Sequence, residues 1–87
     1  MLPEFVAPAI LVADDLFPST VLELDPNVVK GICLREGSTL AHGALIAREM
    51  GIGWVCQQGD ALNEVQTGER LTLDVAHNRA VRERKPL

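Results

Sequence analysis

Apolar residues fall along the chain in short blocks whose period changes from one block to the next. "AILVA" (9–13) is an unbroken apolar run closed by Asp14 and Asp15. A run this short and aliphatic predicts a buried strand. "DDLFPS" interrupts the pattern. Val21, Leu22 and Leu24 then have helical spacing, with Ser19 placed to cap the start. Asp25-Pro26-Asn27 reads as a turn. "VVKGICL" (28–34) predicts a second strand, in which Gly31 marks a bulge or the close approach of another segment.

After the loop "REGST" comes the best helical pattern in the chain, "LAHGALIAREM" (40–50). Its Ala, Leu, Glu, Arg and Met are strong helix formers, and Gly51 suits the left-handed stop. Its apolar positions wrap most of the circumference, as in a well-covered helix. "GWVCQ" (53–57) predicts a third strand, and "QGDALNEVQTGE" reads mainly as loop. "RLTLDVAHNRAVRE" reads as two strands around "AHN", where Asn78 tolerates a left-handed conformation. The order strand, helix, strand, helix, strand, hairpin predicts a small α/β domain with helices covering a sheet. The first two passages are candidates for right-handed crossovers in a partly parallel sheet.

Composition narrows the function classes. Eighty-seven residues make one domain, 1–87. A hydrophobic fraction of 47% argues against disorder. A net charge of −4, with no basic stripe interleaved with aromatics, disfavours nucleic-acid binding. "RERK" (82–85) reads as a solvated tail. Cys33 and Cys56 lack the close second ligand of a zinc site and lie in apolar runs, so buried free thiols are expected. No stretch reaches membrane-spanning length. "FVAPAILVA" is broken by Pro8 and follows no basic segment, so it does not read as a secretory signal. A cytoplasmic location follows.

"GSTLAHG" (37–43) carries the candidate chemistry. His42 is expected two or three residues into the helix, beside amides without intrahelical partners. Those amides and the positive end of the helix dipole attract anions. The same field disfavours a charged ring and leaves a ring nitrogen free to attack. A neutral imidazole beside an anion cradle suits acceptance of a phosphoryl group. Gly37 permits a tight turn and close approach by a phosphate. Ser38 and Thr39 offer hydroxyls to that phosphate, or one of them caps the helix; the residues leave both options open. Gly43 leaves room for a donor or for tight helix packing.

Competing sites are weaker. Ser19 and Ser38 lack a nucleophile elbow, and the loop lacks the lysine of a Walker motif. A metal site would need His42 with His77 or carboxylates, but His77 reads as a solvated turn residue, and no metal is expected. Asp14 and Asp15 are adjacent on a strand end and point to opposite faces. Arg48 sits about 120° round the helix from His42. A salt bridge to Glu23, Asp25 or another domain is expected for it.

"ILVADDLFPS", "HGALIAREMGI" and "LTLDVAHNRAV" together resemble the phosphohistidine domain of enzyme I of the phosphoenolpyruvate-dependent sugar phosphotransferase system. Similar swivelling domains occur in pyruvate phosphate dikinase and phosphoenolpyruvate synthase. The resemblance spans roughly positions 9–82. Gly37 matches the first glycine of the family's Gly-Gly-x-Thr-Ser-His pattern, and His42 matches its phosphorylated histidine. Ala44, Ala47 and Arg48 match the helix that follows. Ser38 replaces the second glycine, Leu40 the usual threonine and Ala41 the usual serine. Phe17 stands where enzyme I has a threonine.

The resemblance implies a small swivelling β/β/α three-layer domain with a mixed sheet and two main helices. It implies that His42 takes a phosphoryl group from phosphoenolpyruvate held on a separate barrel domain, where magnesium also binds. His42 would then pass it to a histidine phosphocarrier protein. The 87 residues would be a fragment of a larger multidomain phosphotransferase or a detached copy, with a multiphosphoryl-transfer protein or the phosphotransferase subunit of dihydroxyacetone kinase as suitable parents, and inactive alone. No cofactor is expected in the domain itself. The lost hydroxyls imply an alternative, a degenerate regulatory or interaction module of the same fold.

Overall fold

Three strands, β1 (Ala9–Ala13), β2 (Val29–Leu34) and β3 (Gly53–Val55), form a parallel sheet in the order β1-β2-β3. The computed structural model describes residues 9–82. Helices α1 (Pro18–Leu22) and α2 (His42–Glu49) make the two crossovers and pack against each other. A hairpin of β4 (Leu71–Asp74) and β5 (Arg79–Arg82) forms a second, antiparallel sheet.

β2 explains the layering. Gly31 to Leu34 are all buried, which fits a strand covered on both faces. Ile32 and Leu34 pack with Val21, Ala44, Ala47 and Trp54 on the helical side. Cys33 packs with Val55 and Leu62, against Ile10, Val12, Leu73 and Ala80, on the hairpin side. The result is the expected β/β/α order of layers with two helices. Parallel pairing is confined to the central layer and antiparallel pairing to the hairpin.

Gly31 is both at a bulge and at a close approach. Ala9 pairs with Val29 but Ile10 pairs with Gly31, so Lys30 is the extra residue. A Cβ on Gly31 would lie 2.5 Å from Leu73 Cδ1. Gly31→Ala should therefore force the Leu73 side chain out of its present position and cost about 0.5–1.5 kcal/mol of stability. Denaturant melting of the two proteins checks this; coincident curves would refute it.

Several boundaries differ from expectation. α1 starts at Pro18, with Phe17 as N-cap and no side-chain cap, so Ser19 is not the cap. Proline is well suited to the first turn, where its missing N–H costs nothing. α2 starts at His42 rather than near residue 40, with Ala41 as N-cap and no side-chain cap. β3 stops at Val55 because Gln57 turns the chain at φ 58°. Gly59–Leu62 is a 3-10 turn within the stretch read as loop, and it buries Leu62. Gly51 (φ 77°) and Asn78 (φ 51°) take the left-handed conformations expected of them. Arg82 is not a solvated tail residue. It ends β5 and donates to both carboxylate oxygens of Glu69 at 2.7 and 2.5 Å. The rest of the "RERK" stretch and residues 5–8 of the first apolar run lie outside the described residues. No helix among the described residues is long and apolar enough to cross a membrane.

Candidate functional site

Both helices begin at the carboxyl ends of parallel strands, where open α/β sheets place their ligand clefts. His42 is the first residue of α2, not two or three residues in, and it is exposed. The amides of Ala44 and Leu45 close on the Ala41 carbonyl at 3.0 and 3.2 Å. Those of His42 and Gly43 donate to no carbonyl among the described residues. The imidazole therefore stands in solvent at a helix end with two open donors.

The preceding loop is fixed rather than loose. Gly37 has φ 87°, and a Cβ there would meet Leu34 at 3.2 Å and Asp15 Oδ1 at 3.3 Å. Only glycine fits that position without strain. Ser38 does not cap α2. Its Oγ accepts from the Leu40 amide at 3.0 Å, which closes its own loop. Its carbonyl accepts from Trp54 Nε1 at 3.1 Å. Thr39 does not cap the helix either; it is exposed and lines a cavity of about 90 Å³ with Arg48, Ile52, Trp54 and Val75. Leu40 and Phe17 are 85% and 78% exposed, so the site end carries apolar side chains where the resemblance has hydroxyls.

The remaining candidates separate. Asp14 pairs with Arg35 at 2.9 Å, whereas Asp15 accepts from the Leu16 amide at 2.8 Å, so the two carboxylates do not act together. Arg48 forms no ion pair with Glu23 or Asp25 among the described residues. No group of three or more His, Cys, Asp or Glu among those residues is arranged to hold a metal ion. Cys33 and Cys56 are free and buried. Burial pushes both thiols up, with smaller contributions from Cys56 on Cys33 and from Asp15 on Cys56.

His77 is an exposed turn residue, as expected, but it is not idle. Its Nδ1 lies 2.8 Å from Asp74 Oδ2, and its amide donates to Asp74 Oδ1 at 3.2 Å. The hydrogen bond to the His77 ring is the main cause that holds the Asp74 carboxyl below its usual value. A lowered folded pKa stabilises the turn fully above the ordinary carboxylate range. That contribution is lost as pH falls through the lowered value. Hydrogen exchange of the 75–78 amides should therefore gain an acid-linked loosening that Asp74→Asn lacks. Identical pH profiles in the two proteins would rule this out.

Three contributors escaped the sequence reading. Trp54 was legible only as an apolar strand residue, yet its ring underlies the start of α2: a Cβ on Gly43 would lie 3.2 Å from Trp54 Cη2. Asn78 was legible for its backbone alone. Its side chain accepts from the Cys56 amide at 2.9 Å and donates to the Cys56 carbonyl at 3.0 Å. Gln58 Nε2 donates to the carbonyls of Cys56 and Asn78 at 2.8 and 2.9 Å. No local spacing announces contacts between segments 22 residues apart.

Sequence comparison with known proteins shows the family. The family profile "PEP-utilising enzyme, mobile domain" matches residues 5–78. The phosphoryl donor subunit DhaM of phosphoenolpyruvate-dependent dihydroxyacetone kinase from Escherichia coli (strain K12) is 62% identical over 78 residues. Those residues are 90% of this chain and 16% of that protein. A multiphosphoryl transfer protein from Rhodobacter capsulatus is 41% identical over 68 residues, 78% of this chain and 8% of that protein. A phosphoenolpyruvate-protein phosphotransferase from Borreliella burgdorferi is 31% identical over 65 residues, 75% of this chain and 11% of that protein. The chain thus spans about a sixth or less of the length of these relatives. No solved structure matches it.

Proposed function

The chain belongs to the mobile-domain family of phosphoenolpyruvate-utilising enzymes, and from that premise we propose that it is a phosphoryl carrier with His42 as its acceptor. The observation that carries this reading is an exposed imidazole at the first position of α2, beside two amides that donate to no carbonyl among the described residues. A ring nitrogen with a free lone pair attacks the phosphorus of phosphoenolpyruvate. The N–P bond forms as the bond to the enol oxygen breaks. The enolate leaves and takes a proton from solvent to become pyruvate. Neutral imidazole needs no further base for this attack. In this reading the open amides and the Thr39 hydroxyl receive phosphoryl oxygens, and Gly37 lets the backbone come close. Ser38 Oγ accepts from the Leu40 amide, and its own O–H proton remains to donate to a phosphoryl oxygen.

The phosphoryl donor and the onward recipient lie outside these residues in this reading. Phosphoenolpyruvate and its magnesium ion belong on a barrel domain, and a histidine phosphocarrier protein receives the group. The likeness to phosphoryl donor subunits and multiphosphoryl transfer proteins supports that assignment. A second reading, a domain of this fold that docks without transferring, is favoured by exposed Leu40 and Phe17. Each charge-assisted hydrogen bond lost to such replacements is worth about 1.5–3 kcal/mol.

Radiolabelled phosphoenolpyruvate separates the two. With a competent phosphoenolpyruvate-binding partner, the full chain should gain acid-labile, base-stable label. A chain that stays unlabelled beside a labelled control acceptor would leave only the docking reading.

A further inference from the structure

Cys56 is fully buried just past the end of β3, where the described structure provides no strand to satisfy it. A buried amide or carbonyl left without a partner costs about 1–3 kcal/mol. Asn78 meets both groups with one side chain, donating to the Cys56 carbonyl and accepting from its amide. Gln58 binds the same carbonyl, the Asn78 carbonyl and the Ala80 amide, so the 56–59 turn is locked to the hairpin.

The far side of this turn holds the loop that leads to His42. The amides of Gln57, Gln58 and Gly59 donate to the carbonyls of Glu36, Leu34 and Arg35 at 2.9, 3.1 and 2.9 Å. Gly37 is seated against Cys56, whose Cβ would be 3.6 Å from a Cβ on the glycine. A chain of direct contacts therefore runs from Asn78 through Cys56 to residues 34–37, the base of the loop that ends at His42.

We propose that Asn78 is a positioning residue for phosphoryl acceptance: through Cys56 it sets the placement of the 34–37 segment, and so of the loop that receives the phosphoryl group beside His42. The proposal rests on the reading of His42 as acceptor. Asparagine is the residue suited to both demands of the position. It tolerates φ 51°, and its amide supplies one donor and one acceptor on the same edge. Asn78 is not expected to touch the phosphoryl group.

Asn78→Gly tests the side chain alone, because glycine keeps the left-handed backbone. In single-turnover labelling of the full chain, the rate of phosphoryl uptake should fall roughly 10- to 100-fold, the scale expected for misplacing reacting groups by about 1 Å. The donor concentration giving half-maximal rate should stay within about twofold, as a positioning defect requires. Asn78→Asp keeps the acceptor for the Cys56 amide and should fall between the two. If the glycine variant melts below the assay temperature, the aspartate variant is compared with the parent instead. Amide and ring resonances supply the second readout, with shifts expected at Gly37 and His42 as well as at Cys56. A folded variant with the parental rate, or shifts that stop at residues 56–59, overturns the proposal while leaving His42 as acceptor. An unlabelled parent chain overturns the acceptor reading, and the positioning role falls with it.

Discussion

His42→Ala should abolish acid-labile labelling while leaving the fold intact. Phosphoramidates hydrolyse in acid and survive base, whereas esters of serine and threonine survive acid, so the chemistry of the label identifies a nitrogen acceptor. The chain has one other histidine, and His77 is committed to Asp74 through Nδ1. The cysteines are buried, with thiols pushed up by that burial, and do not compete as nucleophiles. His42 itself is exposed at a helix start. Removing it leaves no cavity, and alanine is the best helix former, so stability should change by less than about 0.5 kcal/mol. Label should therefore drop below detection at an unchanged melting temperature, and His77→Ala should retain it. Acid-labile label that persists in His42→Ala would end the assignment.

Trp54→Ala should have the largest effect on stability. The indole belongs to the helical-side core, lies under Gly43 and donates to the Ser38 carbonyl. Truncating a buried aromatic costs about 3–5 kcal/mol. A domain of this size has about 5–15 kcal/mol in total. At roughly 4–8 °C per kcal/mol, the melting temperature should fall by at least about 12 °C. Trp54→Phe keeps much of the apolar area but loses the donor and the outer ring edge under Gly43, so a smaller cost, about 1–3 kcal/mol, is expected. Thermal denaturation followed by circular dichroism measures both without needing the indole. A fall below about 4 °C for the alanine variant would show that the ring does not anchor this face.

The sequence revealed most where a single segment carries the whole cause. β1 appears at Ala9–Ala13 because two aspartates close an uninterrupted aliphatic run. The end of α2 is written in Gly51, which takes the left-handed stop. The start of α2 is not, because no side chain caps it: Ala41 supplies only its backbone, and the Ser38 hydroxyl turns back on its own loop. β2 shows the same limit at the level of packing. Its unbroken apolar run implies cover on both faces, but not that Leu73 would cross directly over Gly31. At the site, His42 and Gly37 were legible from residue type and order. Trp54 and Asn78 were not, since each acts by reaching a backbone group on a segment distant in sequence.

The two native thiols lie in different core clusters, Cys33 on the hairpin side and Cys56 on the helical side. Both are free and buried, so neither is open to an alkylating dye. A cysteine placed on the exposed surface would thus be the one fast-reacting group among the described residues. A single fluorophore or spin label attached there would report on this domain alone, with the natural thiols left untouched.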